Sequence, residues 1–222
     1  MGRRSRYRAG VPITVVHLLR HGEVHNPDRI LYGRLPGFRL SEDGERMSRD
    51  AAAFLARRPI AYLVSSPLER AQQTAQPLAQ LTGLPIHLDE RLTEAENRFQ
   101  GANVAGGKGV FAKPEHWRLI TNPLRPSWGE PYALVAARML DAVKAARDAA
   151  AVAGGQAVCV THQLPIVALR RYLEGKRLWH DPRRRECSLA SVTSLSFDGD
   201  VVVRIDYAEP AGRTPRGAVA GA

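Results

Sequence analysis

ITVVHLLRHGE, residues 13–23, is an almost unbroken apolar and β-branched run that stops at Arg20, His21 and Gly22. A strand apolar on both sides reads as buried on both faces, the habit of a parallel sheet covered by helices. The segments around it fit that reading. GERMSRDAAAFLARR (44–58) has a helical pattern and ends before Pro59. IAYLVSS (60–66) is a second strand, after which Ser66 as N-cap and Pro67 at the first helical position open PLERAQQTAQPLAQL. Pro77 inside that helix should kink it. PIHL (85–88) is a short strand, and an irregular stretch, 94–130, follows. Pro131 to Ala153 reads as an alanine-rich helix stopped by Gly154-Gly155, QAVCVTH (156–162) as a strand, and Leu164 to Leu173 as a helix. LASVTSLSF and VVVRIDYA flank Asp198-Gly199-Asp200 as a hairpin. Strands alternating with helices predict an α/β fold, a three-layer αβα sandwich with a mostly parallel central sheet and an antiparallel edge strand. One domain is expected over 11–208, with 94–130 as a lid or insert, too long for a plain connection. Residues 1–10 and 209–222 read as a flexible basic arm and tail.

Composition narrows the function. The 222 residues suffice for one sizeable core, and 44% hydrophobic with 24% charged residues is ordinary for a globular chain. Cys159 and Cys187 fit neither a disulfide framework nor a metal pattern, so free thiols in a reducing compartment are expected. No apolar run reaches the roughly 18–20 residues of a membrane span, and the N-terminal arginines precede no signal-like segment. A cytoplasmic location is the default. The net charge of +10 is concentrated in the N-terminal arm and in Arg183-Arg184-Arg185, both of which read as solvated runs. Aromatic residues are only 6%, with no aromatic–basic alternation for base stacking, so nucleic acid is not the expected partner. The field still favours anions, phosphorylated metabolites included.

Open α/β sheets bind ligands at the carboxyl ends of their strands. The first strand ends at Arg20-His21 and the second at Ser65-Ser66, with Arg70 one turn into the next helix. The strand AVCVT ends at His162. If these strands are neighbours, two guanidiniums and two imidazoles meet at one sheet edge, a set suited to a phosphoryl group.

Here the chain resembles the histidine phosphatase superfamily, the phosphoglycerate mutase-like family. LLRHGE (18–23), GRLPGFRLSEDG (33–44), SSPLERAQQTA (65–75) and VTHQ (160–163) correspond to its blocks, and the resemblance spans about Val11 to Tyr207. It implies that His21 is the nucleophile, that Arg20, Arg70 and His162 hold the phosphoryl oxygens, and that Glu94 in RLTE donates the proton to the leaving oxygen. Glu96, two residues on, is the alternative donor. The chemistry is sound on general grounds. A neutral imidazole is a competent phosphoryl acceptor, adjacent arginines disfavour its protonation, and the same cations stabilise the transferring group. The arginines supply the charge, so neither a metal nor a cofactor is called for. Where the family pattern has Thr or Ser, this chain has Val24, and the expected asparagine comes one position early, as Asn26, a candidate phosphate contact or simply a turn former with Pro27. Gln163 replaces the usual Gly after the second histidine, and Phe99-Gln100-Gly101 stands where a tryptophan is common.

The expected activity is that of a metal-independent phosphomonoester hydrolase of the histidine acid phosphatase type, acting on a small phosphorylated metabolite through a phosphohistidine on His21. A mutase-like phosphoryl transferase is the alternative, and AENRF (95–99) lacks the Arg-x-Tyr-Gly-like segment that mutases carry there. A non-catalytic module binding a phospho-ligand or RNA would need neither nucleophile nor acid. Arg29 and Tyr32 could cap a loop or touch substrate. His17, His25, His87, His116 and His180 read as structural or exposed. HGEVH (21–25) has the wrong order for a zincin, no Pro-Cys-x-x-Cys accompanies HGE, and GGKG (106–109) lacks the P-loop spacing. Substrate identity and oligomeric state are left open.

Overall fold

A computed structural model describes residues 13–103, 129–181 and 185–212. The expected arm at 1–10, most of the expected lid, the GGKG stretch, His116, Arg183-Arg184 and the tail beyond 212 lie outside the described residues.

Six strands form one sheet: β1 (Thr14–Arg20), β2 (Ile60–Ser65), β3 (His87–Leu88), β4 (Gln156–Thr161), β5 (Val192–Asp198) and β6 (Val201–Ala208). Their order across the sheet is β3-β2-β4-β1-β5-β6. β1 and β2 each run parallel to β4, β3 runs parallel to β2, and β5 and β6 complete the other side antiparallel. The mostly parallel α/β architecture expected from the strand–helix alternation is therefore present, and the three strands proposed to share an edge are neighbours.

Among the described residues four α-helices cover the sheet: α1 (Glu42–Leu55), α2 (Glu69–Thr82), α3 (Tyr132–Val152) and α4 (Gln163–Leu173). Alternate strand residues point to opposite faces, and the core divides accordingly. Leu18, Val64 and Cys159 pack with Met139 and Val143 of α3 and Ile166 and Leu169 of α4. Leu19, Leu63, Val158 and Val160 pack with Met47 and Leu55 of α1 and Ala71 and Leu78 of α2. Both cysteines are buried free thiols, and burial pushes each thiol pKa up. His17, fully enclosed in β1, bonds Ser194 Oγ at 2.8 Å and Gln156 Oε1 at 2.9 Å, so it ties three strands together.

Two local readings need correction. Ser66 does not cap α2. The helix begins at Glu69 with Leu68 at the N-cap and no side-chain cap bond, while the Ser66 hydroxyl lies 2.8 Å from His162 Nε2. The same oxygen accepts only from the N–H of Leu68, the N-cap residue itself, at 3.3 Å, and its second partner is the distant His162. As expected, the helix contains Pro77, and it runs on to Thr82. α1 starts two residues early, because Ser41 Oγ accepts from Gly44 N at 3.0 Å and acidic Glu42, Asp43 and Glu45 suit the first turn.

Register explains how the strand ends meet. Arg20 sits opposite Thr161, and Val160 lies opposite both Leu19 and Ser65. Beyond the strands the ladder continues as His21 N–H to Thr161 O (3.1 Å) and Ser66 N–H to Val160 O (2.9 Å). One row of hydrogen bonds thus aligns the residues that follow three strands.

Candidate active site

The residues at this edge are enclosed to an unusual degree for charged groups. Arg20, His21, Arg70, Glu94 and His162 are each exposed by 3% or less. Charged side chains are almost never so buried unless paired. Yet Arg20 Nη1 donates to a neutral carbonyl, Cys187 O at 2.6 Å, and Arg70 Nη2 to Gly33 O at 2.6 Å. Arg20 Nε, Arg70 Nε and His162 Nδ1 have no hydrogen-bond partner among the described residues. Each such group costs about 1–3 kcal/mol when left alone, so the cluster offers its donors to any ligand rich in acceptors.

The backbone around this cluster is tightly packed. A Cβ at Gly44 would lie 2.0 Å from Glu23 O, and one at Gly22 would lie 2.5 Å from Gly44 O. The start of α1 therefore rests directly on the segment after β1, and only glycines permit it. Gly22 N–H donates to Thr74 Oγ1 (3.1 Å), which donates to Arg70 O (2.7 Å), linking this turn to α2. Gly33, with φ of 44°, turns its carbonyl to Arg70. Tyr32 faces the same guanidinium with its ring, 4.7 Å from centroid to Cζ.

His21 is aimed by its own chain. Its Nδ1 lies 2.8 Å from Gly22 O. A carbonyl only accepts, so Nδ1 carries the proton and Nε2 keeps the lone pair. Burial, then Arg70, then Arg20 hold its pKa well below the usual histidine value, so the ring is neutral at pH 7. His162, with its ring centroid 5.1 Å away, is likewise held neutral by burial and the same arginines. Glu94 shifts in the opposite direction. Burial raises its pKa, although the Ala95 N–H at 2.8 Å and the nearby arginines oppose the rise.

Glu94, the donor the resemblance implies, and Glu96, its alternative, occupy different surroundings. Glu94 is enclosed with the two arginines, whereas the Glu96 side chain is 70% exposed and paired with Arg34 at 3.1 Å. Arg34 also donates through Nε to Glu94 O (2.6 Å) and through Nη2 to Glu130 (3.1 Å). Arg138 of α3 holds Glu130 from the other side at 2.8 Å. Asn26 is committed locally, since both ends of its amide bond the backbone of Ile30, at 2.8 and 2.9 Å. Arg29 is exposed at a positive φ of 51°.

Sequence reasoning missed two participants. Tyr32 was left undecided and proves to wall the cluster. Arg185 read as part of a solvated run, but it folds inward, with Nε 3.0 Å from His180 Nε2 and Nη1 3.3 Å from Gln163 Oε1. The departure at Gln163, which places an amide where a glycine is usual, was the one available signal. Among the described residues no group of three or more His, Cys, Asp or Glu side chains is arranged to hold a metal ion.

A family model described as the histidine phosphatase superfamily (branch 1) matches residues 16–207. The uncharacterized protein Rv0525 of Mycobacterium tuberculosis (strain ATCC 25618 / H37Rv) is 54% identical over 198 residues, 89% of this chain and 97% of that one. The probable phosphoglycerate mutase GpmB of Escherichia coli O1:K1 / APEC is 28% identical over 80% of this chain and 83% of its own length. The native structure of the mycobacterial glucosyl-3-phosphoglycerate phosphatase Rv2419c superposes with a TM-score of 0.70 at 29% identity, over 88% of this chain and 97% of that one. With nearly the whole described chain inside the match, this protein belongs to the histidine phosphatase superfamily.

Proposed function

We propose that the protein hydrolyses a phosphomonoester of a small metabolite through a phosphohistidine on His21. The observation that carries this reading is the enclosed cluster itself. A neutral imidazole with Nδ1 held by Gly22 O and Nε2 free sits among buried arginine and histidine nitrogens that have no protein partner. In the first step His21 Nε2 attacks phosphorus, the P–N bond forms and the ester P–O bond breaks. Glu94, kept protonated by burial, transfers its proton to the departing alkoxide. In the second step Glu94, now a carboxylate, takes a proton from water. The oxygen of that water attacks phosphorus, the P–N bond breaks, and inorganic phosphate leaves with His21 neutral again. Arg20, Arg70 and His162 hold the equatorial oxygens, where charge-matched donors contribute most to the rate. Arg34 acts as a positioning residue through the backbone of Glu94. The proposed steps call on no metal or cofactor, and the enzyme is proposed to act in the cytoplasm; among the described residues no helix is long and apolar enough to cross a membrane.

The likeness to a probable phosphoglycerate mutase keeps transfer to a second substrate hydroxyl as the other reading. One experiment tests both. Phosphate release is measured in chelator across a panel of phosphomonoesters, 3-phosphoglycerate included, with product analysis for wild type and His21→Ala. Release that the variant loses supports hydrolysis. Isomerised phosphoglycerate without release supports the mutase, and no turnover of any kind overturns both.

A further inference from the structure

Arg20 and Arg70 suffice for a phosphoryl group, which leaves a third inward guanidinium, Arg185, to be explained. It is partly buried, and both of its hydrogen-bond partners are neutral: His180, whose pKa burial lowers, and Gln163. No carboxylate lies within ion-pair distance of it among the described residues, and Nη2 makes no hydrogen bond there. A guanidinium fixed by two neutral acceptors and left without a counter-charge is a standing site for an anion.

Its position says which part of a substrate it meets. The His180 ring that holds Arg185 packs 5.8 Å from the ring of Tyr132, two residues beyond the Glu130 that Arg34 joins to the Glu94 backbone, and Arg185 also acts electrostatically on Glu94. Arg185 is thereby placed on the Glu94 side of the cluster, where the proposed mechanism has the alcohol depart. The mount is also built in. Gln163 is 7% exposed, and its Nε2 donates to Cys187 O (3.3 Å), the same carbonyl that holds Arg20. Both guanidiniums are thus referenced to one backbone oxygen.

We propose that Arg185, held by Gln163 and His180 beside Glu94, forms a second anion subsite that takes an anionic oxygen group, carboxylate or phosphate, on the alcohol portion of the substrate. This inference rests on the phosphomonoesterase reading above. It makes the enzyme selective for phosphomonoesters whose leaving alcohol is itself anionic.

The test uses matched pairs. 3-Phosphoglycerate and glycerol 3-phosphate differ in having a carboxylate or a hydroxymethyl group, and fructose 1,6-bisphosphate and fructose 6-phosphate differ by a second phosphate. kcat/KM is measured on both pairs for wild type, Arg185→Gln and Arg185→Lys. Dissociation constants are measured by calorimetry on the full-length His21→Ala protein with and without Arg185→Gln. In at least one pair, Arg185→Gln should reduce the preference for the anionic member by about tenfold, as expected for one lost charge-assisted hydrogen bond, with the lysine variant intermediate. The pair that responds identifies carboxylate or phosphate. Equal losses within both pairs, or no change in either, overturn the subsite, the former assigning Arg185 to Glu94 alone. If selective binding is seen but wild type releases no phosphate, the hydrolytic reading fails and the subsite stands. If none of the four ligands binds or turns over, the subsite fails as well.

Discussion

Two groups of arginines lie side by side at the carboxyl edge of this sheet and are treated in opposite ways. Arg34 and Arg138 are matched to Glu96 and Glu130, and together they brace the backbone of Glu94 and of Arg91. Arg20 and Arg70 donate only to carbonyls and keep unpartnered nitrogens in the interior. The first group uses charge to fix a loop. The second holds charge in reserve, and the fold carries the electrostatic penalty. The surrounding sheet and glycine contacts are what make that penalty tolerable, since packed backbone cannot shift to relieve it.

The sharpest way to break this contrast is at its centre. His21→Ala should reduce phosphate release by roughly 10⁴-fold or more, since removing a nucleophile removes the stepwise route altogether. A variant that retains measurable turnover with the same product would place the acceptor elsewhere. Glu94→Gln should lower kcat/KM, which reports phosphoryl transfer to His21, by about 10²–10⁴-fold with an alkyl phosphate but far less with p-nitrophenyl phosphate, whose leaving group needs no acid. Equal losses of kcat/KM on both substrates would remove Glu94 as the proton donor. Arg70→Lys, which keeps the charge and loses the fork, should lower kcat/KM by about 10²-fold.

Members of the paired group should matter less, and in a recognisable way. Arg34→Gln should lower turnover of alkyl phosphates by about tenfold, and that loss should vanish in a Glu94→Gln background, because coupled positions are not additive. Persistence of the loss in the double variant would give Arg34 a role of its own. The pH profile separates the groups as well. His21 is depressed, so the acid limb should lie below 6.5. Glu94 is raised, so the alkaline limb should begin above the ordinary carboxylate range and disappear in Glu94→Gln. Stability follows the same signs. His21 and His162 bind protons more readily unfolded than folded, so stability is fully present above pH 6.5 and declines as pH falls below it. Each contributes a slope of up to about 1.4 kcal/mol per pH unit, and His162→Gln should flatten the decline measured by thermal unfolding.

The contrast also marks how far the sequence could be read. The carboxyl edge was legible because a parallel strand buried on both faces announces itself by continuous apolar residues, and ITVVHLL and AVCVT stop where polar chemistry begins. The family blocks then named the residues between those stops. What could not be read were choices between near and distant partners. Ser66 has the side chain of an N-cap, yet it serves His162, 96 residues away. In the sequence Glu94 is preferred to Glu96 through the family resemblance alone, because the burial that separates them is a property no local pattern encodes. Arg185 sits in a run of three arginines in the sequence, and only the return of its loop against Gln163 and His180 shows it turned inward.

The bond from His21 to the carbonyl of its own neighbour has a consequence for how such a protein changes over time. Ring orientation here is a property of two consecutive residues and asks nothing of any distant side chain. The loop that carries Arg185 can therefore be exchanged in a lineage, altering which molecule is admitted while the aim of the imidazole is inherited intact. A family assembled around such a self-aligned group diversifies by replacing its surroundings.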